Sequence, residues 1–202
     1  MASVRRRLAP EQRRKLIVEA AGRQFGARGY DGTRLDTVAA AAGVTKPVLY
    51  RHFDDKTALY LALLERHRED LGAFAGAIPP EGPLEARLRA VLEVWLDYVE
   101  AHDYAWRMLF RDTGGGEAVR AFRVELHARA RAVLIGVIRD LTPASIPARE
   151  LEPLAELLRM GMASLVLWWI ETKGVEREAV LDAIVRVWTG LLRSGAADDA
   201  AA

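Results

Sequence analysis

A chain of 202 residues is long enough to close a hydrophobic core, either as one large domain or as a small domain joined to a larger one. About half of it is apolar, it has no cysteine, and its longest uncharged stretch, residues 160 to 170, is too short to cross a bilayer, which excludes a disulfide-stapled secreted domain and predicts a cytoplasmic protein. The net charge of +1 hides a division, with twelve Lys or Arg against six Asp or Glu in residues 1 to 56 and seventeen against twenty-two in residues 57 to 202, so a polyanion-binding end adjoins a part with another task.

The basic N-terminus, with Arg5, Arg6 and Arg7 in a row, has no apolar segment behind it and does not read as a secretory signal. Leu16, Ile17, Ala20, Ala21 and Phe25 recur at the spacing of one helix face, and Gly29 closes that helix where a left-handed residue is needed. Thr33 and Asp36 are spaced like a capping box at the start of a second, alanine-rich helix over residues 35 to 42, which Gly43 ends. Thr45 can cap a third helix, and Asp54 or Asp55 a fourth that starts at Lys56 and continues through Leu59 and Leu63. Residues 1 to 56 therefore predict three short helices with tight turns.

IPPEGP at residues 78 to 83 is a break rich in turn residues. Beyond it Leu84, Leu88, Val91, Leu92, Trp95, Tyr98 and Val99 form one helical stripe, a shorter piece spans residues 104 to 110, and DTGGGE follows as a loop. A long helix from Phe122 to Leu141 is broken by TPASIP, and two more follow at about 150 to 173 and 177 to 193, before a tail at 195 to 202 that reads as disordered. With no strand pattern anywhere, the expected fold is all-α, with an N-terminal three-helix unit and a larger helical domain over residues 57 to 194. In the last helix Val180, Ile184, Val187 and Leu191 make one apolar stripe, and Leu181, Val185, Trp188 and Leu192 make a second. One can face the chain's own core and the other a copy of itself, which predicts a homodimer through the last two helices.

The segment VTKPVLYRHFDDK, residues 44 to 56, carries the strongest functional pattern. Val48, Leu49 and Phe53 face inward with Leu35 and Val38, and Gly43 permits a sharp turn between the two helices. Lys46 and Tyr50, like Pro47 and Arg51, are four residues apart, so all four project from one short face. Proline is tolerated in a first turn, where its missing N–H has no intrahelical partner. Lysine and arginine reach guanine acceptors or phosphates, tyrosine donates to phosphate, and a proline ring presses on a thymine methyl. This is a helix-turn-helix with the third helix entering the major groove of DNA.

At these residues the sequence resembles the tetracycline-repressor (TetR) family of bacterial transcription regulators. The resemblance runs from Ile17 to Leu59, with Ala20, Ala21 and Phe25, GYDGT at 29 to 33, VAAAAGVTKPVLYRHF at 38 to 53, and Lys56 with Leu59. It covers about a fifth of the chain and departs at Pro47 and at Gly22, the latter weakening the first helix by up to about 1 kcal/mol relative to alanine. It implies that Thr33, Arg34, Tyr50, His52 and Lys56 meet phosphates, and that Thr45, Lys46, Pro47 and Arg51 lie nearest the base edges. Arg5 to Arg7 then look like a basic arm, or a charged terminus that aids solubility. The resemblance also implies a dimeric repressor on a palindromic operator, its C-terminal helices forming a four-helix interface. The remaining part of the chain would then hold a pocket for a small apolar or aromatic effector that releases the DNA. Trp95, Tyr98, Trp106, Phe110, Phe122, Met160 and Trp168 are the residues that could line it.

Enzyme readings are weaker. Asp112-Thr113-Gly114 lacks the second carboxylate and β scaffold of aspartic-protease chemistry, and GGG at 114 to 116 opens no phosphate-binding loop. His67, His102 and His127 show no metal-ligand spacing and read as turn or surface residues, so neither metal nor cofactor is expected. The alternative is an all-helical enzyme or small-molecule binding protein whose N-terminal helices are structural only.

Overall fold

The computed structural model describes residues 9–141 and 146–198, and among these the chain forms only helices and turns. In order they are α1 (Pro10–Gly32), α2 (Leu35–Ala41), α3 (Lys46–Tyr50), α4 (Lys56–Gly72), a 3-10 turn at Ala73–Ala77, α5 (Leu84–Ala101), α6 (Asp103–Phe110), α7 (Gly116–Leu141), α8 (Ala148–Glu171) and α9 (Arg177–Asp198). The all-α expectation holds. α9 runs to Asp198, so the tail expected from residue 195 is helical over its first four residues, and the last four lie outside those described.

Punctuation follows from particular residues. Gly29 (φ 69°) breaks α1 before its last turn, and Gly43 (φ 66°) turns the chain from α2 into α3, both in the left-handed region that glycine enters without steric cost. The Asp55 side chain caps α4 by accepting from the Ala58 N–H at 2.7 Å. The capping box expected at Thr33 and Asp36 does not form: Arg34 is the N-cap of α2, with no side-chain bond.

Two hydrophobic cores result. The first packs Ile17, Val18, Ala21 and Phe25 of α1 with Val38, Leu49 and Phe53, then with Leu59, Tyr60, Leu63 and Leu64 of α4, and extends to Met108, Leu109, Val119 and Leu126 of α6 and α7. Half of α4 therefore belongs to the N-terminal unit, and the boundary expected after residue 56 is not a break in packing. Burying each of these large side chains stabilises the unit by about 1.5–3 kcal/mol. The second core gathers α5 to α9 around Leu88, Leu96, Ile138, Val166, Leu181 and Trp188.

Against the sequence expectation, both stripes of α9 are used largely inside the chain. Val180, Leu181, Ile184, Val185, Trp188 and Leu192 are all buried, which leaves Val187 exposed and Leu191 half-buried. α8 is long and apolar enough to pass as a membrane span by composition, but Leu151, Ala155, Leu158, Ala163, Val166 and Trp169 are buried in the bundle.

Where α1 crosses α6, a Cβ on Gly22 would lie 2.4 Å from the Tyr104 ring, and one on Gly26 would lie 2.4 Å from the Tyr104 Cβ. The helical propensity lost at Gly22 is therefore exchanged for a close crossing that docks the N-terminal unit on the larger domain.

Candidate nucleic-acid interface and ligand cavity

Leu49 is fully buried and Phe53 nearly so, and they fix α3 on the N-terminal core. Thr45, Lys46, Pro47, Tyr50 and Arg51 are left exposed and His52 half-buried. Lys46 and Pro47 form the first turn, and the N–H groups of Arg51 and His52 continue the coil to the carbonyls of Pro47 and Leu49 at 3.2 and 2.9 Å. Thr45 occupies the N-cap position with no side-chain bond into the helix, which leaves its hydroxyl available outward.

The face is electrostatically preset by Asp36, which the sequence offers only as a capping residue. Asp36 on α2 pairs with Lys46 at 2.8 Å and with Arg34 at 3.7 Å. The Lys46 ammonium, through its hydrogen bond and charge, holds the Asp36 carboxyl below the usual carboxylate range, and Asp36 raises Lys46 in return. Lys46 also lies 6.0 Å from the Tyr50 ring centre.

Two of the expected phosphate ligands are spent elsewhere. Thr33 is buried, and its hydroxyl donates to the Gly29 carbonyl at 2.8 Å and the Gln24 carbonyl at 3.1 Å, satisfying acceptors at the end of α1. The Lys56 ammonium donates to the Tyr30 carbonyl at 2.9 Å and sits 4.4 Å over the Tyr30 ring, so it fastens α4 to the end of α1. Arg34, Tyr50, Arg51 and His52 remain available. Arg5, Arg6 and Arg7 lie outside the described residues.

The larger core surrounds a cavity of about 710 Å³ between α4, α5, α6, α7, α8 and α9. Trp95, Trp106 and Phe110 line it as expected from the sequence, together with Leu88, Leu92, Val133, His127, Met162 and Trp188. The other four expected residues do not. The Tyr98 hydroxyl donates to Asp70 at 3.2 Å and bonds the His67 ring nitrogen at 2.5 Å. Phe122 packs against the N-terminal core beneath the Arg68 guanidinium. Met160 and Trp168 are more than half exposed, on the outer side of α8. An apolar residue at helical spacing tells only that a face is apolar, and α8 has two such faces.

Two of the three histidines expected at turns or the surface are interior. His67 is fully buried, and burial, with His102 beside it, pushes its pKa down to about 4. His127 is stacked on Phe110 and lines the cavity, its pKa lowered by burial and by Arg159.

A polar junction joins α7 to the N-terminal unit. Arg123 of α7 donates to the Tyr60 hydroxyl at 2.9 Å, and Tyr60 donates to Asp112 at 2.9 Å. The same Asp112 oxygen accepts the Tyr30 N–H at 2.6 Å, at the end of α1, and its other oxygen accepts the Gly114 N–H at 3.0 Å. DTGGGE, which read as a plain loop, thus supplies the carboxylate at this junction.

Residues 17–63 match the bacterial regulatory proteins of the tetR family. The HTH-type transcriptional activator FasR of Mycolicibacterium smegmatis is 31% identical over 189 residues, covering 92% of this chain and 85% of that protein. The HTH-type transcriptional repressor SCO4008 of Streptomyces coelicolor is 32% identical over 147 residues, covering 70% and 73%. In fold the chain is similar to a crystal structure of a tetR-family transcriptional regulator from Streptomyces coelicolor, with a TM-score of 0.76 at 28% identity over 94% of this chain and 84% of that one.

Proposed function

Since the chain belongs to the tetR family of bacterial regulatory proteins and is a helix-turn-helix transcription regulator, we propose that it acts as a dimeric repressor whose hold on a palindromic operator is released by a small apolar or aromatic effector. The observation that carries the DNA-reading part is the outward face of α3. Lys46, Pro47, Tyr50 and Arg51 stand exposed on a helix whose opposite side, Leu49 and Phe53, is buried. Arg34 and Tyr50 position the helix on phosphates, and Lys46, Pro47 and Arg51 meet base edges.

A five-residue helix reads too few base pairs for a unique address, and a two-fold copy supplies the second half-site. Leu157, Met160 and Trp168 on α8, with Val187 on α9, are large apolar side chains left exposed at helical spacing, and Gly161 and Ser164 between them allow close approach. Met160 and Trp168 thus serve the dimer in this reading, and Trp169, buried with its indole N–H donating to the Val175 carbonyl at 3.1 Å, serves the protomer.

The cavity and the junction supply a route for release. α4 contributes Arg68 to the cavity wall, while its first half is built into the DNA-reading core. A ligand that favours a different placement of α4 and α7 loads the Arg123–Tyr60–Asp112–Tyr30 connection and moves the two recognition helices away from the half-site spacing. A coupling of about 1–3 kcal/mol changes operator affinity about 5- to 150-fold.

The relative FasR, similar over nearly the whole chain, is named an activator, and this favours activation as the second reading. Titration of the protein on its own promoter region tests the first: tight binding in low salt is expected, and Lys46→Ala or Tyr50→Ala should weaken it at least tenfold. Unchanged binding by both variants would remove α3 from DNA. Transcription in vitro from that fragment separates repression from activation, and sedimentation of Trp168→Glu, expected to be monomeric, tests the dimer face.

A further inference from the structure

A helix in the major groove of DNA meets phosphate on either side, because the groove is only about 12 Å wide and its edges are the two strand backbones. From Lys46 the coil of α3 continues past Tyr50, with the Phe53 N–H donating to the Leu49 carbonyl at 3.1 Å. At 1.5 Å per residue, Lys46 and Phe53 are about 10 Å apart along this coil, so groups fixed at its two ends stand at the walls of the groove. At the Lys46 end the cation is Arg34, 3.7 Å from the Asp36 carboxylate that holds Lys46 at 2.8 Å.

At the Phe53 end the cation comes from α1. Arg14 is exposed, and its guanidinium carbon lies 5.1 Å from the centre of the Phe53 ring. The sequence of α1 accounts for this stack. Arg14 precedes the buried Ile17 and Val18 by one turn, so its stem runs toward the N-terminal core while its head stays in water. Phe53 is nearly fully buried in the same core as Ile17 and Leu49, which fixes the ring in turn. A guanidinium laid on an aromatic face keeps its hydrogen-bonding capacity, since its N–H donors point outward from the edge of its plane. Among the described residues no carboxylate pairs with Arg14, in contrast to Arg34 and Lys46, so its charge is uncommitted.

Resting on the reading of α3 as the DNA-reading helix, we infer that Arg14 is a phosphate clamp supplied from outside the helix-turn-helix, holding the backbone at the Phe53 end of α3 as Arg34 does at the Lys46 end. It carries no base information and sets where the helix lies in the groove. Phe53 is then a positioning residue, which orders the guanidinium before DNA arrives and so lowers the entropy lost on binding.

Fluorescence anisotropy of the full-length protein on its promoter fragment and on an unrelated duplex of equal length, over a series of potassium chloride concentrations, tests this. Arg14→Ala should weaken both complexes alike, on the order of tenfold at low salt, and lower the slope of log affinity against log salt by about 0.9 for each protomer bound. Arg14→Leu keeps an apolar cover on Phe53 without the charge and should lose as much, whereas Arg14→Lys should restore most of the slope. Arg14→Leu binding as tightly as the unmodified protein would show that the side chain only covers Phe53, and overturns the inference. A loss confined to the promoter fragment, or a loss with the slope unchanged, overturns it as well. In each of these cases the reading of α3 stands if Lys46→Ala still weakens binding. If Lys46→Ala and Tyr50→Ala bind unchanged, or the unmodified protein holds neither duplex, that reading falls, and this inference with it.

Discussion

Around Leu49, Leu59, Leu63 and Leu64 the side chains of the N-terminal core are fully buried, and the glycines of α1 bring Tyr104 against the helix backbone. Around Leu88, Leu92 and Val133 a core of the same residue types stands about an open volume of about 710 Å³. Both regions bury leucine, valine and aromatic rings, so composition does not separate them. The first must hold α3 in one place relative to its neighbours, which close packing does. The second gives up packing around a volume that the proposed reading assigns to a ligand. The largest predicted effect follows from that contrast. Leu63→Ala should cost about 2–5 kcal/mol in urea unfolding, because the dense core cannot collapse around the space, whereas Leu134→Ala on the cavity wall should cost about 1 kcal/mol. Equal losses would mean that the two cores are packed alike.

The boundary between the regions has its own test. His67 of α4 is buried among Tyr98, His102 and Tyr104, with Asp70 and Arg66 nearby, and its pKa of about 4 lies below the ordinary 6.5. As pH falls through 6.5 the unfolded chain takes up a proton that the folded chain refuses, so stability falls between 6.5 and about 4. The loss over that window is on the order of 3 kcal/mol. His67→Gln should flatten the dependence of the melting temperature on pH across it, and an unchanged slope would place the acid-sensitive group elsewhere. A smaller effect is expected at the polar junction. Asp112→Asn should cost about 1–3 kcal/mol, since a carboxylate accepting from Tyr30, Tyr60 and Gly114 is replaced by an amide with one donor too many. Hydrogen exchange at the Tyr30 amide should accelerate more than at Leu49, and equal acceleration would show that the junction is only part of global unfolding.

How far the sequence could be read differs between the same two regions. The N-terminal unit is built from local signals: Gly29 and Gly43 at left-handed turns, Asp55 as a cap, and a short α3 whose buried and exposed sides follow from residue spacing. Its errors are those of a polar side chain choosing among partners. Thr33 has the chemistry of a phosphate ligand, but carbonyls within bonding distance at the end of α1 take its hydroxyl first. Lys56 is held in the same way by the Tyr30 carbonyl and ring. The partner of Lys56 cannot be found from spacing, because it is set by the return of α4 across α1, whereas the carbonyls that hold Thr33 lie in α1 itself and are freed by the break at Gly29. In the larger domain the helices were legible, but which apolar face turns inward was not. Met160 and Trp168 lie on the outer stripe of α8 while Met162 of the same helix reaches the cavity, a difference fixed by how α8 packs on α7 and beside α6. Asp112 was missed because a carboxylate in a glycine-rich loop looks the same from sequence whether it faces water or three converging donors.

The smallest predicted effect lies on the DNA face and is electrostatic. Asp36 and Lys46 are exposed, and an exposed ion pair contributes little to folding, so Asp36→Asn should leave the melting temperature unchanged. Binding is another matter. In the free protein the carboxylate occupies the ammonium that the proposed reading assigns to the groove, and on that reading it also places a negative charge beside the phosphates. Its removal frees Lys46 and lessens repulsion, so affinity for any duplex should rise about threefold at low salt, with the gain shrinking as salt screens the charge. The direction is the informative part. A loss of affinity would mean that Asp36 positions Lys46 for the bases, and that the pair seen in the free protein persists on DNA.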